Sequence, residues 1–356
     1  MSVSFISCSS TFQLHCVPIS ITLSLAPLPQ NPFYATHNSN NPRPGSKMLA
    51  IVGASGKLGY ATLTSLLEHN LLPASHIICT TSSPSGESKL RALQRTHPFH
   101  IRHATWDDPS TLAPALQDCT NLFLISSPAI HKDFNEAPPG SGREEDHYAL
   151  LTAAKEAGIE HVYYTSLAFA NPSKSRVMKA HERTEAYLAE HWEGRHTIIR
   201  EGLYSESWPL YLGHYDLAGD AEREEVVVAG DGKVNWTSIP DLGLANALIL
   251  ADPVEKWRGR TFYLCQREAW TLGEVAGMVG RARGKEVRLR VVGREEHERF
   301  YVRERGMERD MVEWWSRSYD ALRDGECEID DPTLEELLAR KGAKPTPMEE
   351  KVGEML

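Results

Sequence analysis

The segment Gly53-Ala54-Ser55-Gly56-Lys57-Leu58-Gly59 follows directly on the apolar run Met48-Leu49-Ala50-Ile51-Val52, and this junction constrains the fold more than any other feature. An apolar strand runs into glycines spaced three apart. Beyond them Leu63, Leu66 and Leu67 recur at i, i+3, i+4, the pattern of a helix packed on a sheet. Such a strand–turn–helix needs its first glycine for the tight turn and its second for close backbone approach of a ligand. The third lets helix and strand pack closely, and together they form a dinucleotide-binding fingerprint. A pyrophosphate there would rest on free N–H groups at the helix N-terminus, contacted by Gly53, Ser55, Gly56, Lys57, Leu58 and Gly59.

From Met48 onward the pattern repeats. Strands are predicted at 48–52, 76–80, 99–104, 120–126, 160–166 and 196–200, with helical stretches between them. In the clearest of these, Leu150, Ala153, Ala154 and Ala157 share one face and Gly158 stops the helix. Apolar strands alternating with helices predict an α/β fold: a Rossmann-type, doubly wound parallel sheet that binds ligands at its carboxyl edge, where strand order switches. After Arg200 the rhythm breaks. A short strand pair is expected at about 225–237, turning on Gly230-Asp231-Gly232. A helix follows from Pro240 to Asp252-Pro253, and a further strand at 260–264. The charged run Arg294 to Arg299 reads as the solvated face of a helix, and Trp314-Trp315 as lobe core. We therefore expect a nucleotide domain over 48–265, with an excursion to a substrate lobe at about 205–232. The remainder, 266–356, is expected to form a smaller, mainly helical C-terminal lobe.

Residues 1–47 differ from the rest. They hold no acidic residue, only Arg43 and Lys47 as bases, and many Ser, Pro and Asn. The start is uncharged, and Pro18, Ser20, Thr22, Ser24 and Pro27 break the apolar stretch, so neither a secretory signal nor an Arg-rich transit peptide fits. We read a disordered extension, or one that the functional chain does not carry, with Met48 as the functional start. No run of 18 apolar residues occurs, so no membrane span is expected, and the cytoplasm is the expected location.

Composition narrows the chemistry. A net charge of −10 argues against nucleic acid as the main partner. Six cysteines contain no C-x-x-C, and fifteen histidines contain no H-E-x-x-H, so no metal site is expected. An NAD site carries an acid about 20 residues past the first glycine, for the ribose 2′-OH. Here that region reads Cys79-Thr80-Thr81-Ser82-Ser83, and the first acid is Glu87. Its absence favours NADPH. Thr81, Ser82 and Ser83 are candidates to donate to the 2′-phosphate, with Lys89 or Arg91 adding charge. Ser126 and Ser127, ending the fourth strand, are expected beside the cofactor backbone, and Asp107, after the third, near the adenine.

The chain resembles the NmrA-like branch of the atypical short-chain dehydrogenase/reductases, in particular type-2 NADPH:quinone oxidoreductases. The matching segments are the glycine loop, Trp106 to Pro109, Tyr164-Thr165-Ser166, His181 to Glu185, Arg200 to Glu206, Trp236 to Asp241 and Glu268 to Leu272. They keep family order from about 48 to 350. The chain departs from the family pattern at Thr81, where an Arg is frequent, and at Glu201, where such quinone reductases tend to have Asn. The resemblance implies an NADPH-dependent oxidoreductase passing hydride to a quinone or related conjugated carbonyl. Two alternatives stay open: a non-catalytic redox sensor docking on a protein partner, and a dedicated reductase of secondary metabolism. Monomer and homodimer are both compatible.

No tyrosine from Tyr148 to Tyr215 has Lys four residues on, so the Tyr-x-x-x-Lys proton-donating dyad of ordinary alcohol dehydrogenation is absent. The candidates for a catalytic donor are Ser166 after the fifth strand, Lys179 and His181 at the start of the next helix, and Tyr204 after the sixth strand. His181 is expected to donate a proton near neutral pH.

Overall fold

The apolar strands stack their side chains alternately onto two helical layers. The computed structural model describes residues 48–356; the expected 1–47 extension lies outside the described residues. In chain order, β1 (Leu49–Val52), α1 (Lys57–Glu68), β2 (Ile77–Thr81), α2 (Pro84–Gln94), β3 (His100–His103), α3 (Leu112–Ala115) and β4 (Asn121–Ile125) build the first half. The second half is α4 (Glu144–Glu156), β5 (His161–Leu167), α5 (Lys179–His191) and β6 (His196–Glu201). Next come the short α6 (Trp208–Tyr211), β7 (Glu225–Val228), α7 (Ile239–Ala251) and β8 (Thr261–Leu264). The main sheet has seven parallel strands in the order β3-β2-β1-β4-β5-β6-β8. Strand order reverses between β1 and β4, which places the switch point at their carboxyl ends.

Period-two alternation assigns each residue to a face. Leu49, Ile51, Phe123, Tyr163 and Ile199 pack against α1, α2 and α7. Met48, Ala50, Val52, Leu122, Leu124, Val162, Tyr164 and Ile198 pack against α3, α4 and α5. Both faces being covered explains why β1 and β4 read as continuous apolar runs.

The rest of the chain is α8 (Leu272–Arg283), β9 (Arg288–Val291), α9 (Arg294–Arg303), α10 (Arg309–Arg323), α11 (Thr333–Ala339) and α12 (Met348–Met355). Most of it forms a lobe around Trp208, Tyr211, Trp236, Trp314, Trp315 and Tyr319. Three expectations change here. First, β7 does not turn back on itself at Gly230-Asp231-Gly232. It pairs in parallel with β9, Val226 opposite Leu289, while the Asp231 carboxylate accepts the N–H groups of Leu272 and Gly273 at the start of α8. Second, the charged run on α9 is not wholly solvated, because His297 is fully buried against Tyr301 and Tyr319. Third, the chain after 266 does not stay in the lobe: Leu334, Leu337 and Leu338 of α11 pack into the α1–α7 face of the sheet. Among the described residues no helix is long and apolar enough to cross a membrane.

The junction of β1 and α1 leaves no room for a side chain. A Cβ at Gly59 would lie 2.3 Å from the Gly53 carbonyl oxygen and 2.9 Å from the Ala54 Cα, with only backbone to give way. Gly59→Ala is therefore expected to destabilise the fold by at least about 2 kcal/mol, measured by urea unfolding. At Gly353 on α12 nothing lies within 4 Å of an added Cβ, so Gly353→Ala is expected to stabilise by about 0.5–1 kcal/mol.

Candidate active site

The glycine turn shapes a candidate anion site out of backbone alone. Gly53 sits at φ +83°, a conformation that side chains disfavour. Its carbonyl accepts the Gly56 N–H at 3.0 Å, and the first intrahelical bond of α1 runs from Tyr60 N–H to Gly56 O. The N–H groups of Lys57, Leu58 and Gly59 thus have no helical partner. No side chain caps α1 and no acid lies in its first turn, so nothing competes with an anion there. Beside it, Ser55 Oγ meets Thr81 Oγ1 at 3.3 Å, and Lys89 Nζ donates to the Ser55 carbonyl while lying over the Tyr60 ring.

A cleft of about 330 Å³ opens on this turn. Ten of the expected site residues line it: Gly53, Ser55, Gly56, Lys57, Leu58, Gly59, Thr81, Ser82, Ser126 and Tyr204. None of its lining residues is acidic and one is cationic, Lys57. Sequence reasoning gave no binding role to Thr105, Trp106 or Leu112, which also line it. Trp106 lines it from the loop after β3. The signal for it was positional: it lies just past the third strand, at the carboxyl edge.

The other expected residues are held elsewhere. Ser83 caps α2, its Oγ accepting the Gly86 N–H at 3.1 Å. Asp107 is exposed, and its N–H bonds Thr105 Oγ1 within the β3 loop. Ser127 is buried and donates to Asp146 at 2.6 Å. Ser166 donates to Glu185 at 2.6 Å; that carboxylate also accepts from Asn171 and Arg200. The Ser166 hydroxyl hydrogen is thereby committed away from the cleft. Lys179 pairs with Glu182 at 2.9 Å and lines a separate hollow with Asp133, Glu136, Arg176 and Arg183.

His181 differs most from expectation. It is buried, with Nδ1 3.0 Å from the Tyr164 hydroxyl. Desolvation, reinforced by Arg143 and His147, holds it neutral well below the ordinary imidazole range. This environment disfavours an imidazolium at His181. Its neighbour His147 lies directly behind Ser126. Nε2 of His147 accepts the Ser127 N–H at 2.9 Å, so neutral His147 carries its proton on Nδ1 and donates to Thr184 Oγ1 at 2.8 Å. Thr184 in turn donates to the Ala180 carbonyl. These buried groups form a fixed polar floor under the carboxyl ends of β4 and β5.

Tyr204 is the candidate donor that faces the cleft. Its phenol has no hydrogen-bond partner among the described residues, and burial, then Glu201 and Glu206, raise its pKa well above the usual tyrosine range. It therefore keeps its proton at all physiological pH and can act as a neutral donor. Among the described residues no cluster of His, Cys, Asp and Glu could hold a metal.

No protein-family profile matches the chain. It is 29% identical over 300 residues to the NmrA-like family domain-containing oxidoreductase flvB of Aspergillus flavus, covering 83% of this chain and 91% of that protein. It is 31% identical over 244 residues to quinone oxidoreductase 2 of Escherichia coli, covering 67% of this chain and 76% of that one. The E. coli structure with NADPH superposes at a TM-score of 0.71, with 28% identity, over 86% of this chain and 99% of that one. Triphenylmethane reductase from Citrobacter sp., solved with NADP(H), gives 0.72 and 28% over 86% of this chain and 100% of the other.

The buried histidines set the acid response. His147 and His297 are pushed down to about 3, and His161 and His214 to about 4, chiefly by burial. The unfolded chain binds these protons near pH 6.5, so it holds more protons than the fold between those values. The stability they support is complete above about pH 6.5 and is lost as pH falls toward 4, each contributing a slope of about 1.4 kcal/mol per pH unit. Melting curves are expected to show a steadily falling Tm from pH 6.5 to 4.5; a flat profile would contradict the buried, neutral assignment.

Proposed function

The chain belongs to the NmrA-like oxidoreductases, an atypical branch of the short-chain dehydrogenase/reductases, and from that premise we propose that it reduces quinones or related conjugated carbonyls at the expense of NADPH. The observation that carries this reading is the cleft at the β1–β4 switch point, which combines a free helix N-terminus with a wall lacking any carboxylate. NADPH, when bound, supplies the hydride.

The chain's own groups do the rest. The N–H groups of Lys57 to Gly59 receive the pyrophosphate, with no acid to repel it. Thr81 and Ser82 offer hydroxyls to the ribose 2′-phosphate, and Lys89 stands behind them as the charge that the Thr81 departure removes. Trp106 offers a flat face to the adenine. Tyr204 donates its phenolic hydrogen bond to the carbonyl oxygen that gains charge as hydride arrives. A quinone needs no stronger acid, because its reduction creates an aromatic ring.

His147, His181, Thr184 and Tyr164 support the floor, and Ser166 and Glu185 brace β5 against β6. The lobe of 205–232, α8 to α10 and α12 is the proposed substrate side. Cys79, Cys119, Cys265 and Cys327 are buried free thiols, in keeping with a reducing, cytoplasmic setting.

The full chain is expected to consume NADPH in the presence of benzo- and naphthoquinones. Gly56→Val, which forces side-chain atoms toward the Gly53 carbonyl, should abolish both consumption and NADPH binding. Tyr204→Phe is expected to lower kcat/KM for the quinone by about tenfold or more, with NADPH affinity unchanged. Lys89→Ala is expected to weaken NADPH about tenfold while leaving NADH unaffected, read by fluorescence titration. Tight NADPH binding without turnover across the quinone panel would overturn the quinone reading.

A further inference from the structure

The last residue of β6 is a buried acid with no cation to pair it. Glu201 is 2% exposed, and Asn246 on α7 is fully buried. Asn246 Nδ2 donates to Glu201 Oε1 at 2.8 Å. The other two polar atoms of this pair, Glu201 Oε2 and Asn246 Oδ1, are both buried and both without a partner. As long as Glu201 is ionised, all the orphaned valence is of one kind: two acceptors and no donor. One proton on Oε2 turns it into a donor, and a carboxylic acid and a carboxamide are then complementary at both positions.

We propose that Glu201 is carried as a neutral carboxylic acid whose Oε2–H donates to Asn246 Oδ1, and that this reciprocal pair is a positioning device for Tyr204. It closes β6 onto α7 three residues before the phenol that lines the cleft. The far side of the same turn is already pinned, by Gly202 N–H to Leu264 O at 2.9 Å and by the bridge between Tyr204 and Thr237. A Cβ at Gly202 would lie 2.3 Å from Thr237 Oγ1, so the turn has little room to adjust. With both sides pinned, the phenol holds one place. A neutral Glu201 offers Asn246 both a donor and an acceptor and adds no negative charge behind the cleft.

The electrostatics agree. Burial pushes the Glu201 carboxyl up to about 8, opposed only by the Asn246 bond. The titratable groups on the elements around it are His196 and Arg200 on β6 itself, Tyr204 and Glu206 beyond it, His161, Tyr163 and Tyr164 on β5, Tyr263 on β8 and Cys265 after it, Asp241 on α7, and Lys57, Tyr60 and Glu68 on α1. Among the described residues none of these pairs with it; Glu206 is engaged by the Ile239 N–H and Asp241 by the Thr346 N–H. The folded state therefore holds a proton that the unfolded chain releases near 4.5. Its cost to stability grows as pH rises from about 4.5 to 8, opposite in sign to the buried histidines.

The inference rests on the reading in which Tyr204 meets the substrate, but one readout is independent of turnover. Infrared spectra of the full chain are expected to show a protonated-carboxyl stretch at pH 7 that disappears above pH 8 and is absent in Glu201→Gln. In kinetics, wild-type kcat/KM should fall above pH 8 by about tenfold per pH unit. Glu201→Gln, which keeps both hydrogen bonds, should retain wild-type kcat/KM at pH 7 and stay flat at alkaline pH relative to wild type, whereas Glu201→Ala loses activity throughout. Absence of the protonated-carboxyl stretch from the wild type at pH 7 would overturn the proposal, and that measurement stands even if the Gln variant fails to fold. An alkaline profile of Glu201→Gln superimposable on the wild type would also overturn it. A chain that lacks quinone turnover but shows the stretch would count against the function and not against the protonated pair.

Discussion

Everything at the site depends on how closely α1 approaches the end of β1. Gly59 rests against the Gly53 carbonyl with no space for a methyl group, and Gly53 turns the chain at positive φ. These two contacts point the uncapped N-terminus of α1 across the gap that the β1–β4 switch leaves open. A looser junction would tilt the helix and withdraw the N–H groups of Lys57 to Gly59 from any phosphate. On the far side Gly243 lets α7 close on α1, where a Cβ would meet the Ala61 Cβ at 2.6 Å. The anion site is thus clamped from both sides by the absence of side chains.

Several polar groups behind the cleft follow a second constraint: they are committed before a ligand arrives. Arg143 illustrates it. Its guanidinium holds Asp133 at 2.6 Å and also the carbonyls of Ser127 and Val177, tying the β4 loop, α4 and the approach to α5 together. Ser166, His147 and Ser127 are engaged in the same way. What faces the cleft is a small set: backbone N–H groups, the Lys57 ammonium, hydroxyls at the β2 end and the Tyr204 phenol. A site so arranged binds and orients more than it ionises, which suits hydride acceptance by a conjugated carbonyl.

Much of this was legible in the chain. Strands β1 to β6 and β8 lie within one or two residues of their expected positions; in β1, β2 and β4, which are buried, the apolar run needs no long-range information. The glycine spacing and the missing acid after β2 gave the cleft its character. Other features depend on partners distant in sequence. Val226 pairs with Leu289, so Gly230-Asp231-Gly232 advertised a local hairpin while a remote strand won the pairing. His181 carries no mark of burial in its own sequence; Arg143 and His147, which together with burial hold it neutral, come from the start of α4, and Tyr164, which lies against its Nδ1, comes from β5. Ser166 is engaged by Glu185, around which Asn171 and Arg200 also gather from other segments of the chain. Glu201 was visible as a departure, but its consequence needed Asn246, which is 45 residues away.

The central claim is that NADPH lies in the β1–β4 cleft on the α1 N-terminus. Amide hydrogen exchange of the full chain with and without NADPH tests it most directly. The account predicts slowed exchange at Gly53 to Gly59 and at Thr81 to Ser82, with the separate hollow at Arg176 and Arg183 unchanged. Protection confined to that hollow, or no protection at the glycine turn under saturating NADPH, would contradict it.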